Sequence, residues 1–82
     1  MGLPLADQNY NLAKLLTERL EHLSADSTFA HRASGVRGSL LRIMERIEAG
    51  ERMNSDDQVL LDQLIQYGFE ILELAAKEIG AS

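Results

Sequence analysis

Six apolar residues in the middle of this 82-residue chain recur at spacings of 4, 3, 4, 3, 4: Phe29, Ala33, Val36, Leu40, Ile43 and Ile47. That alternation is the a/d seam by which helices pack nearly parallel or antiparallel to one another. The seam keeps its phase through "AHRASGVRGSLLR", Ala30 to Arg42, where Gly35 and Gly38 interrupt a helical composition. Glycine costs about 1 kcal/mol relative to alanine inside a helix, so two of them invite a break. A loop would destroy the phase. The seam therefore predicts one continuous helix over about 28–49, followed by Gly50 at the place of a left-handed C-terminal cap.

Two further helices flank it. The first, about 7–23, follows Pro4 with Asp7 as its cap and gathers Leu12, Ala13, Leu15, Leu16, Leu20 and Leu23 on one arc. Arg19 intrudes at the edge of that arc, as a snorkelling side chain does. Asp26 and Ser27 are cap candidates for the second helix. The third, about 56–79, begins at a capping box of Ser55 and Gln58, with Asp56 and Asp57 on the positive end of the dipole. Its apolar arc, Leu60, Leu61, Leu64, Ile65, Tyr67, Ile71, Leu72, Leu74, Ala75, Ala76 and Ile79, spans about 200°. One neighbour needs only about 100° of apolar stripe, so this helix is expected to be covered from two sides. Phe69 at the arc's edge and Val59 outside it point to a second copy of the chain as one of the covers.

The size of the chain agrees. A domain this small buries roughly 60% of its unfolded surface. With no Cys and two His, oligomerisation is the common support still open to it. The expectation is an all-α fold: a bundle of three helices running up-down-up and completed as a homodimer. Residues 1–82 form one helical domain, with 1–6 as a tail and 24–27 and 50–55 as loops.

Charge divides the surface. The chain carries −5 overall with a pI near 4.8, which disfavours general binding to nucleic acid or to anionic membrane. Residues 28–49 hold four Arg against two Glu, a local +2, whereas residues 50–82 hold seven acids and two bases. On the second helix His31, Arg32, Gly35, Ser39, Arg42 and Arg46 share one face. His31, Arg32, Arg42 and Arg46 are the candidate partner-binding residues. The bland alternative is that this basic face pairs with acidic stripes of its own fold or of a dimer mate.

A second face of the same helix collects Ala30, Ser34 and Gly38 with Leu41 alongside. Small residues let two backbones approach closely. These four, together with Leu61, Ile65, Gly68, Phe69 and Leu72 of the third helix, are the candidates for helix packing or a dimer interface. The same reading predicts that Gly38→Leu disrupts fold or assembly.

Signals for chemistry are sparse. No phosphate-binding loop, HExxH or nucleophile elbow occurs, and Glu-x-x-His is missing. No catalytic residue, cofactor or metal site is expected. No apolar run approaches the 18 to 20 or so residues that span a bilayer, and no secretion signal opens the sequence, so a cytoplasmic setting is expected. The function expected is a non-enzymatic protein–protein interaction module: an adaptor, accessory subunit or inhibitor. The alternative is a small nucleic-acid-binding regulatory protein using Arg32, Arg42 and Arg46.

Overall fold

The computed structural model describes residues 5–23 and 25–80, with the side chains of 5–8 and 79 left aside. The first helix begins at Leu5, two residues before the expected start, so Asp7 lies within it and not at its N-cap; the side chain of Ile79 and all of Pro4 lie outside the described residues. Three helices make the fold: α1 (Leu5–Glu21), α2 (Ala30–Glu48) and α3 (Ser55–Gly80). They form an all-α bundle in which each helix packs on the other two.

The core follows the seam. Ala33, Val36, Leu40 and Ile43 of α2 are buried, and Phe29 and Ile47 pack half-buried at its two ends. Gly35 and Gly38 leave α2 unbroken, because the seam holds its apolar side against α1 and α3. Ala13, Leu16 and Leu20 come in from α1, and Leu61, Ile65, Ile71 and Ala75 from α3. Thr17 is buried among them and bonds its hydroxyl to the Lys14 carbonyl, 2.8 Å away, so it leaves no orphaned donor.

The helix ends are set by local chemistry. Gly50 takes φ +79°, and Glu51 N donates to Arg46 O while Gly50 N donates to Ile47 O. This 6→1 and 5→2 pair closes α2 in the left-handed cap the sequence predicts. The start of α3 differs from expectation by one residue. Asp57 N donates to Asn54 Oδ1 at 2.8 Å and Asn54 N donates to Asp57 Oδ2 at 3.3 Å. The reciprocal cap is thus Asn54 with Asp57, not Ser55 with Gln58. Asn accepts as well as Ser does, and a carboxylate three residues on closes the box.

The start of α2 has no side-chain cap of its own; Phe29 occupies that position. Ser27, expected as a cap, instead accepts from Phe29 N at 3.2 Å and donates to Glu78 on α3.

Two apolar arcs are wider than the stripes they bury. On α1, Leu12 and Leu15 remain exposed; on α3, Leu60 (46%), Tyr67 (41%), Phe69 and Val59 do. Within one chain α3 does meet both other helices, but they cover only the centre of its arc.

Candidate functional site

Two polar ties fix how α2 and α3 lie. At one end Arg46 grips Asp57 with both guanidinium nitrogens, Nη1 to Oδ1 at 3.0 Å and Nη2 to Oδ2 at 2.9 Å, with Glu51 3.8 Å from Nε. This bidentate geometry is the favoured one for Arg with a carboxylate. The Arg46 hydrogen bonds, aided by the Asn54 amide, hold the Asp57 carboxyl below its ordinary value. At the other end Glu78 accepts from Thr28 Oγ1 (2.6 Å), Thr28 N (3.1 Å) and Ser27 Oγ (3.0 Å). These bonds, those of Thr28 first, lower the Glu78 carboxyl in turn. A third tie joins α1 to α2, where the Tyr10 hydroxyl donates to Glu48 and its own pKa rises.

Neither Arg46–Asp57 nor Glu78–Thr28 is signalled by sequence spacing, since the partners stand 11 and 50 residues apart on different elements. Asp57 was legible as a helix-start acid, and that role it keeps. Its second role needs α2 folded back onto α3.

The arginine face now divides. Arg46 is engaged within the fold, and among the described residues Arg32, Arg37 and Arg42 form no ion pair. The internal pairing that the sequence allows thus accounts for one arginine of the four on α2. His31, Arg32 and Arg42 are exposed, and Arg46 is partly so.

At 100° per residue, Arg32, Arg42 and Arg46 fall within about 80° of α2. Because Arg46 touches α3, the other two lie on the α3 side of the outer surface. Leu60, Tyr67 and Leu74, spaced by seven, fall within about 40° of the α3 surface, on the side of Glu78 that meets α2. The result is one face with a basic edge from α2 and an apolar track from α3. Leu74 is half-buried; Leu60 and Tyr67 are not.

The small-residue face takes another course. Ala30 and Ser34 line a shallow depression with Leu20, Glu21, Leu23 and Arg37, on the α1 side of α2. A Cβ at Gly38, or at Gly35, would meet nothing within 4 Å. The expected close approach at Gly38 is therefore absent within the chain, and Leu41 beside it is exposed. Close approach occurs at Gly68 instead. A Cβ there would stand 2.5 Å from Leu16 Cδ2 and 2.9 Å from Cγ, so only a missing side chain lets α1 and α3 meet. Leu61 and Ile65 are buried in the core, Leu72 packs against it, and Phe69 stays exposed at the edge.

Two other features complete the surface. An open concavity of about 640 Å³ lies where α3 begins, lined by Asn9, Met53, Ser55, Gln58, Val59, Leu61 and Asp62. Among the described residues no three His, Asp or Glu side chains gather as metal ligands, and no helix is long and apolar enough to cross a membrane. No known protein family matches the chain, and neither a curated protein nor a solved structure is detectably similar to it.

Proposed function

We propose that this protein is a non-enzymatic protein–protein interaction module that works through its helix faces, as an adaptor, accessory subunit or inhibitor, with a second copy of itself among its partners. The observation that carries the reading is the arrangement of its exposed apolar side chains. Single exposed apolar residues are ordinary on any protein, whereas contiguous tracks mark contact surfaces. Leu60 and Tyr67 stand in one such track, and Leu12 and Leu15 occupy the flank of α1 away from Tyr10.

Chemical cross-linking of the purified protein and of native lysate, read by mass spectrometry, tests the module. Cross-links from these helix faces to a second copy or to a partner support it; a protein that cross-links to nothing refutes it. Light scattering after size exclusion tests the homodimer separately, and a monomer at high micromolar concentration removes that part. A second reading, nucleic-acid binding through Arg32, Arg42 and Arg46, draws support from Arg32 and Arg42, which form no ion pair among the described residues, on the face that carries the exposed Tyr67 ring. It requires binding that weakens steeply with salt.

A further inference from the structure

We infer that the face between α2 and α3 is a seat for one acidic amphipathic helix of a partner protein, its apolar stripe on Leu60, Tyr67 and Leu74 and its carboxylates on Arg32 and Arg42. The inference rests on the interaction-module reading and names the partner's chemistry.

The apolar half of the seat is a seam with one side filled. Leu60, Leu64, Tyr67, Ile71 and Leu74 recur at spacings of 4, 3, 4 and 3 along α3. Ile71 is buried and Leu64 half-buried within the bundle, whereas Leu60 and Tyr67 turn out of it. A seam of this kind interlocks with the knobs of a neighbouring helix. Leu60 and Tyr67 are left exposed by α1 and α2, so what fits is a fourth helix laid beside α2 and α3.

The polar half fixes the charge of that helix. Arg32 and Arg42 stand ten residues apart on α2, or about 15 Å along its axis. Neither has an ion-pair partner among the described residues. Arg46 on the same edge is already held by Asp57, so it sets the orientation of α2 rather than offering charge. The helix that fits carries acids on its α2 side, about three turns apart, next to its apolar stripe.

A second copy of the chain packed antiparallel matches this seat poorly. Antiparallel twofold packing of two α3 helices sets arginine edge beside arginine edge.

The test is fluorescence anisotropy with a labelled designed helix of about three heptads, Leu at the a and d positions and Glu along one flank. A sister peptide with Lys in place of Glu and a single-stranded oligothymidylate serve as the competing probes. The Glu peptide is expected to bind, and Arg32→Glu with Arg42→Glu to weaken it at least about tenfold, which corresponds to ~1.4 kcal/mol. Tyr67→Glu is expected to abolish binding. Both arginines are exposed and unpaired, so the double variant should keep its helical circular dichroism and melting point, and loss of fold cannot stand in for loss of binding. Equal binding of the Lys peptide, tighter binding of the oligonucleotide, indifference to the arginine variants, or no binding of the Glu peptide overturns the inference. So does a dimer that Tyr67→Glu dissolves, since the seat then belongs to a second copy. Cross-links through other faces, with this face silent, leave the module standing and remove the seat alone.

Discussion

Replacing Gly68 with alanine sets two effects of opposite sign against each other. Helix propensity alone favours the change by about 1 kcal/mol, because alanine restricts the unfolded chain more than glycine does. At Gly68 the new methyl would stand 2.5 Å from Leu16 Cδ2 and 2.9 Å from its Cγ. Leu16 is fully buried, so it has no solvent-facing rotamer into which it can withdraw. Overpacking a filled core costs about 1–3 kcal/mol, and the net outcome is a loss of up to ~2 kcal/mol. At Gly38 the same substitution meets nothing within 4 Å and keeps the propensity gain of up to ~1 kcal/mol. Thermal unfolding followed by far-ultraviolet circular dichroism should therefore move in opposite directions for the two variants. For a domain this small each kcal/mol is about 4–8 °C in Tm. The reasoning fails if Gly68→Ala raises Tm as far as Gly38→Ala does. Adding Leu16→Ala provides a control: the larger methyl-free space should make Gly68→Ala less costly in that background than alone.

Other outcomes follow from the core and from the ties between helices. Ile71→Ala should cost roughly 2–5 kcal/mol in urea unfolding, because the side chain is almost fully enclosed; less than about 1 kcal/mol would place the core elsewhere. The Asp57 and Glu78 carboxyls are both held below their ordinary values of 3.8 and 4.5. A depressed folded-state pKa contributes stability above the unfolded value and loses it as pH falls through the folded one, so both ties weaken below about pH 4. Asp57→Asn and Glu78→Gln should each flatten the acid limb of a stability–pH curve, and an unchanged limb in both would contradict the assignment. Gly50→Ala should destabilise, since φ +79° strains any side chain even where space is open; chemical denaturation reads the loss directly.

Some of this fold can be read in the sequence and some cannot, for physical reasons. A seam that keeps phase through Gly35 and Gly38 specifies a helix, because periodicity is a property of neighbours along one chain. Gly50 is legible for the same reason, being the local end of that helix. Which glycine touches a neighbour is a property of two helices, and here α1 presses on Gly68 while Gly38 faces open space. Leu12 and Leu15 fit the apolar arc of α1 as well as Leu16 does, yet only Leu16 is enclosed. An arc gives direction and width; the number of helices available to fill it is fixed elsewhere. The arginine face was visible as composition. That Arg46 is engaged and Arg32 and Arg42 are not depends on where Asp57 arrives.

Glu78 also bears on the order in which the molecule can be made. The amide and hydroxyl of Thr28 lead into α2, and the carboxylate that receives them lies fifty residues further along. On the ribosome, α2 is complete and able to pair with α1 long before that acid has been synthesised. Until then Thr28 and Ser27, which lead into α2, lack the carboxylate that ties them to α3. The hairpin of α1 and α2 is thus left open at one end during synthesis, and the last turns of α3 close it.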